Sequence, residues 1–156
     1  MSIKLLCMDV DGTLTDGHIY VGENGEIMKA FNVKDGYAIV KILPELKITP
    51  VIITGKISEI VKRRAQELKI QEVYQNVSDK LPLLKEIAQK YGADFSEGAY
   101  IGDDVNDLEC IRWSGLSACP CDSVDEVLAE ADYVCKAQGG RGAVREFVDW
   151  IVKEGK

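Results

Sequence analysis

Four stretches of this chain carry side chains suited to one reaction. Asp9-Val10-Asp11-Gly12-Thr13 follows the apolar run at 3–8, and Thr54-Gly55 closes the apolar run at 50–54. Gly102-Asp103-Asp104-Val105-Asn106-Asp107 follows Ala99-Tyr100-Ile101, and Lys80 stands where a helix begins. Short apolar runs read as buried strands, so the acids are predicted to emerge together at strand ends. Carboxylates gathered in this way repel one another. Two unit charges about 4 Å apart cost roughly 4 kcal/mol at an effective dielectric near 20. The group must therefore take up protons or hold a cation, and oxygen ligands without His or Cys favour magnesium. A phosphate ester fits the same place, bridged by the metal and held by Lys80. Asp9 is then the nucleophile, forming a phospho-aspartate once the approaching phosphoryl group has been neutralised. Asp11 is the general acid that protonates the leaving oxygen and the base that then activates water. Thr54 and the Gly55 amide bind the phosphoryl oxygens, and Lys80 offsets their charge in a loose transition state. The metal falls to Asp9, Asp11 and Asp103, with Asp104 and Asp107 supporting its surroundings or orienting Lys80.

The elements that must hold these residues follow from pattern. The main strands are apolar throughout and alternate with helices, which predicts an α/β fold: a doubly wound, Rossmann-like parallel sheet with helices on both faces. In such sheets the site lies beyond the carboxyl ends of the strands, near the switch in strand order. Gly22-Glu23-Asn24-Gly25 between apolar segments predicts a β-hairpin. A short helix is expected over 36–46, disturbed near Pro44. Ser58 caps the next helix, whose apolar stripe is Ile57, Ile60, Val61, Ala65 and Leu68. After a short strand at 72–75, Asp79 caps a helix with Leu81, Leu84, Ile87, Ala88 and Tyr91 inward. A helix at 105–113, a strand at 116–119, a helix at 123–131 and a strand at 133–135 follow. The closing helix is amphipathic, with Val144, Phe147, Val148, Ile151 and Val152 on one face. No linker or repeat divides the chain, so residues 1–156 are expected to form a single domain.

Composition excludes some classes. The net charge of −7 and pI near 4.8 disfavour nucleic acid and anionic membranes as partners. The apolar run at 3–8 is too short for a signal peptide or a membrane span. The five cysteines are odd in number and mostly in apolar surroundings, which suits a reducing, cytoplasmic setting rather than a disulfide framework. Cys119-Pro120-Cys121 lacks further ligands for zinc. The single histidine, His18, is expected at the surface near the hairpin.

Asp-x-Asp-Gly-Thr after an apolar strand resembles the first motif of the haloacid dehalogenase superfamily. Thr54, Lys80 and Gly102-Asp103-Asp104-x-x-Asp107 are similar to its second, third and fourth motifs, in order. The resemblance implies a phosphatase using Mg2+. The spans between motifs hold only the hairpin and a helix, so no cap domain is expected. Phe31-Asn32-Val33-Lys34-Asp35-Gly36-Tyr37, Thr54-Gly55-Lys56 and Gly139-Gly140-Arg141-Gly142-Ala143-Val144-Arg145-Glu146 resemble the 3-deoxy-D-manno-octulosonate 8-phosphate phosphatase family. That likeness implies a small sugar-phosphate substrate and a homotetramer in which hairpins and glycine-rich tails of neighbouring subunits help close the site.

Gly139, Gly140 and Gly142 read as a flexible strip carrying Arg141 over an anion. Lys34, Lys56, Arg63, Arg64 and Arg141 are the candidate cations for the substrate's carboxylate and phosphate. A related group acts on nine-carbon keto-sugar acid 9-phosphates and tends to carry Glu where Lys56 stands, which favours the octulosonate ester. Arg63-Arg64-Ala65 nevertheless resembles the nine-carbon group. A different class, the phospho-receiver domain, also unites acids, a Thr or Ser and a Lys on such a sheet. Its acceptor ends a middle strand, whereas here the strand before Thr54 ends without an acid. A regulatory domain with a dead site is disfavoured by intact Asp9, Asp11, Thr54 and Lys80.

Overall fold

The computed structural model describes residues 2–155. A parallel sheet is built from β1 (Leu5–Met8), β4 (Thr49–Ile53), β5 (Glu72–Tyr74), β6 (Gly98–Ile101), β7 (Leu116–Cys119) and β8 (Tyr133–Val134), in the order β5-β4-β1-β6-β7-β8. All five pairings are parallel. The chain winds outward from β1 through β4 to β5, then crosses back to lay β6 on the other side of β1. The switch in strand order therefore falls at β1, the strand that leads into Asp9.

Burial on both faces explains the unbroken apolar strands. Leu6, Met8 and Ile52 face one layer with Phe147 and Val148 of α7 (Ala143–Lys153). Leu5, Cys7, Val51 and Ile53 face the other, with Leu84 and Ile87 of α4 (Lys80–Lys90) and Ile111 of α5 (Leu108–Trp113). All five cysteines are free thiols, four of them buried. No helix among the described residues is long and apolar enough to cross a membrane.

The hairpin forms a separate two-stranded sheet of β2 (Tyr20–Gly22) and β3 (Gly25–Met28), turning at Glu23-Asn24. A single antiparallel bridge, Thr15 to Phe31, ties its base to the loop after β1. Several expected details differ. The helix expected over 36–46 starts earlier, as α1 (Val33–Tyr37), because Asn32 Oδ1 accepts the Lys34 amide as its cap. It then widens into a π turn (Ala38–Ile42) and ends as α2 (Leu43–Glu45), with Pro44 at its start rather than at its break. Ser58 does cap α3 (Glu59–Glu67), its Oγ accepting the Val61 amide. Asp79 precedes α4 but makes no side-chain cap bond. The helix expected over 105–113 is divided: a 3-10 turn (Val105–Asp107) precedes α5, since Asp104 and Asp107 cap that turn reciprocally. The helix expected over 123–131 is the shorter α6 (Asp125–Glu130). Ile57 lies just before the cap and is exposed, as are Tyr91 and Val152 at the fraying ends of their helices.

Candidate active site

The loop after β1 is a tight knot. The amides of Thr13, Leu14 and Thr15 all converge on the Val10 carbonyl at 2.9–3.1 Å, and Thr15 Oγ1 accepts the amides of Gly12 and Gly17. Gly12 has φ +89°, and a side chain there would put its Cβ 1.9 Å from Asp103 Oδ2. Only glycine allows the first acidic loop to lie directly on the fourth. Thr13 Oγ1 donates to Asp103 Oδ1 at 3.3 Å, joining the same two loops.

Behind the loop, Lys80 Nζ lies 2.9 Å from both Asp9 Oδ1 and Asp107 Oδ1, with its side chain 1% exposed. The Tyr100 hydroxyl donates to the same Asp107 oxygen. Asp107 Oδ2 accepts the amides of Asp103 at 3.0 Å and Asp104 at 3.2 Å. Four donors thus use the four acceptor positions of one carboxylate. Asp107 is consequently an orienting group: it aims Lys80 and shapes the Asp103-Asp104 turn. Tyr100 was not legible as a site residue, because a tyrosine within an apolar strand reads as core. Burial lowers the Lys80 pKa, but Asp9 and Asp107 more than reverse this and leave it raised.

Carboxylate oxygens of Asp9, Asp103 and Asp107 lie within 4.8 Å of one another. Burial, then the nearby Asp107 charge, raises the Asp9 pKa against the pull of Lys80. Burial and Asp9 push Asp103 up to about 9. With Asp107 already saturated, Asp9 and Asp103 are the pair left competing for a positive charge. That donor set, all hard oxygen, fits a small divalent cation such as magnesium.

The cavity in front measures about 290 Å³ and is lined by Asp9, Asp11, Thr54, Gly55, Lys56 and Asp103, together with Gly17, Asp104 and Asn106. The buried Thr54 is fixed by backbone bonds, its amide to the Tyr74 carbonyl and its carbonyl from the Val77 amide. Asp11 also lines the cavity, but its carboxylate lies outside the Asp9-Asp103-Asp107 group and is engaged by Lys29 Nζ at 2.6 Å. Lys29 follows the hairpin and no motif marked it. Asn106 was missed too, standing unremarked among the acids of its motif.

Of the candidate cations, only Lys56 lines this cavity. Lys34 is exposed on α1, and Arg63 faces away on α3 beside Glu59 and Gln66. Arg64 packs over the Phe31 ring at 5.4 Å. Arg141 is exposed near Asp16. His18 is exposed, its ring 3.3 Å from Asp16. The glycine strip is packed at its first two residues, which corrects its reading as a flexible segment. A Cβ on Gly139 would meet the Gly12 carbonyl at 1.9 Å, and one on Gly140 would meet the Asp16 amide at 2.4 Å. Gly139 donates to Asp122 Oδ1 and Gly140 to the Thr13 carbonyl. These glycines are small because two backbones touch.

Comparison with known proteins agrees with this geometry. The model of a haloacid dehalogenase-like hydrolase family matches residues 41–147. The chain is 42% identical over 151 residues to the 3-deoxy-D-manno-octulosonate 8-phosphate phosphatase of Escherichia coli (strain K12), spanning 97% of this chain and 80% of that protein. The crystal structure of the Yersinia pestis phosphatase of the same name matches with a TM-score of 0.93 at 43% identity, covering 97% of this chain and 81% of that one. That of the Moraxella catarrhalis enzyme, in complex with magnesium, phosphate and KDO, matches with a TM-score of 0.92 at 42% identity, covering 97% and 86%. On this shared sequence and architecture, the chain belongs to the haloacid dehalogenase-like hydrolases and, among them, to the 3-deoxy-D-manno-octulosonate 8-phosphate phosphatase family.

Proposed function

We propose that the chain is a magnesium-dependent phosphatase that hydrolyses 3-deoxy-D-manno-octulosonate 8-phosphate through a phospho-aspartate on Asp9. The observation that carries this reading is the gathering of Asp9, Asp103 and Asp107 oxygens within 4.8 Å beside the ammonium of Lys80. Asp9 and Asp103 are the side chains for magnesium, which when bound offsets the phosphoryl charge and lets an anionic nucleophile approach. An Asp9 oxygen bonds to phosphorus as the bond from phosphorus to the sugar oxygen breaks, and Asp11 delivers a proton to that oxygen. Asp11 then takes a proton from water as the water oxygen attacks phosphorus and the bond to Asp9 breaks, releasing phosphate. Lys80 and the Thr54-Gly55 turn hold the phosphoryl oxygens through both steps.

The substrate follows from the relatives' named activity and from the magnesium, phosphate and KDO held by the Moraxella catarrhalis enzyme. Lys56 at the cavity supports an anionic sugar acid. We read residues 1–156 as one domain working in the cytoplasm as a homotetramer. Exposed Val21, Ile27 and Met28 on the hairpin and Val33 and Tyr37 on α1 support assembly, and the exposed Lys34, Arg63 and Arg141 are then available to a neighbouring copy's substrate, while Arg64 stays packed over Phe31.

The test compares the octulosonate ester, a nine-carbon 9-phosphate and 4-nitrophenyl phosphate with magnesium present. The eight-carbon ester should have the highest kcat/KM by at least about tenfold, equivalent to 1.4 kcal/mol, and Asp9→Asn should be inactive. Preference for the nine-carbon ester overturns the substrate, and turnover by Asp9→Asn at the parent rate overturns the nucleophile.

A further inference from the structure

Lys29 is a half-buried residue whose side chain is covered by two carboxylates. Its side chain is 1% exposed, and Nζ lies 2.6 Å from Asp11 Oδ1 and 2.9 Å from Glu26 Oε2. Glu26 Oε1 accepts the Ser58 hydroxyl at 2.5 Å. Ser58 is itself fixed: its Oγ accepts the Val61 amide at the start of α3, its amide donates to Gln75 Oε1, and its carbonyl accepts from Gln75 Nε2. A continuous chain of bonds therefore runs from Asp11, across the end of the hairpin, to the segment just after Thr54-Gly55-Lys56. A lysine removed from water loses solvation that only close carboxylates recover, and here it has two.

We propose that Lys29 is a positioning residue for Asp11, holding one oxygen of its carboxyl group so that the other, which carries the proton in the first step, is presented to the leaving oxygen of the ester. Glu26 and Ser58 brace the lysine in turn. The proposal rests on the reading of Asp11 as general acid. Asp11 opens the turn that follows β1, where backbone bonds do not by themselves fix its side chain, and a proton donor must lie within about 2.6–3.2 Å of its acceptor. The bond from Lys29 supplies that fixity from an element outside the sheet. A lysine that merely pinned the hairpin would act on binding of the sugar, read as a raised KM for the octulosonate ester with kcat unchanged, and not on the dependence of the rate on the leaving group.

The experiment exploits the leaving group. The constant kcat/KM reports events up to departure of the alcohol, and 4-nitrophenolate departs without a proton whereas a sugar alkoxide needs one. Both esters are assayed with the magnesium-loaded enzyme. Lys29→Met should lower kcat/KM about 30-fold on the octulosonate ester, a part of the 10²- to 10⁴-fold typical of general acid catalysis. On the aryl ester the loss should stay within about threefold of the parent. Lys29→Arg should recover most of the sugar-ester activity, and Glu26→Gln should show a smaller loss with the same selectivity. Should Lys29→Met not fold, the last two variants carry the comparison. Equal losses on both esters, no loss on either, or a loss on the octulosonate ester carried by KM with kcat unchanged, overturn the proposal. Asp11→Asn is run alongside: selectivity there without selectivity in the Lys29 and Glu26 variants defeats the positioning role alone, while its absence in Asp11→Asn defeats the reading of Asp11.

Discussion

Two lysines, Lys80 and Lys29, each bridge a pair of carboxylates with the side chain 1% exposed, yet they are held by opposite kinds of structure. Lys80 is the first residue of α4 and meets acids of the loops that follow β1 and β6, with Asp107 locked by Tyr100 and two amides. Lys29 hangs at the end of a hairpin of three and four residues per strand, with Ile19, Val21, Ile27 and Met28 exposed. The first arrangement suits a fixed charge that meets the phosphoryl oxygens in both chemical steps. The second suits a group whose orientation matters to one proton and whose support is supplied from outside the core.

The largest effect expected from this contrast is at Lys80. Lys80→Met should lower kcat/KM by about 100- to 1000-fold on sugar and aryl esters alike, as loss of a transition-state charge partner does. Steady-state kinetics on both esters check this, and selectivity for the sugar ester would erase the distinction from Lys29. Gly139→Ala comes next, because it disturbs the backing of the rigid side. Its Cβ meets the Gly12 carbonyl rather than a yielding side chain, so the backbones must part. Urea unfolding should show a loss of about 1–3 kcal/mol, with activity lowered equally on both esters.

The smallest effect sharpens the comparison with a third lysine. Lys90, at the far end of α4, lies 2.6 Å from Glu72, which also accepts the Tyr91 hydroxyl at 2.6 Å and that of Tyr74. Burial raises the Glu72 pKa, but these donors overcome it and bring it down to about 2 from 4.5. A carboxyl depressed in the folded state stabilises above its unfolded pKa, and that contribution is lost as pH falls from about 4.5 toward 2. Glu72→Gln should therefore lower the thermal midpoint at pH 7 by the equivalent of about 1–2 kcal/mol, with the gap closing in acid. Turnover should not change, since α4 puts some 15 Å between its ends at 1.5 Å per residue.

Asp9, Thr54, Lys80 and Asp103 were legible because each sits where an apolar run stops or a helix starts, and the parallel sheet does the rest. The six strands of the sheet were legible as short apolar runs, but their order around β1 was not, because burial does not say which strand lies beside which. Lys29 was not legible, since its partner Asp11 is met only after the hairpin folds back, and a lysine at a strand end normally points to water. Asp79 looked like a cap but makes no cap bond, because the residue type permits capping without requiring it. Gly139 and Gly140 looked flexible, when what they supply is the absence of a side chain between two loops. The same limit hid the division of the first helix, where a π turn answers to packing rather than to any breaker.

The sheet narrows to three residues at β5 and two at β8. A foreign strand approaching either border finds few free amides and carbonyls to template on, and so the margins are poor seeds for aggregation. The longer open ladder belongs to the hairpin, whose β3 has four residues, every one exposed. Under refolding at high concentration, self-association would begin on that small ribbon while the large sheet stays inert.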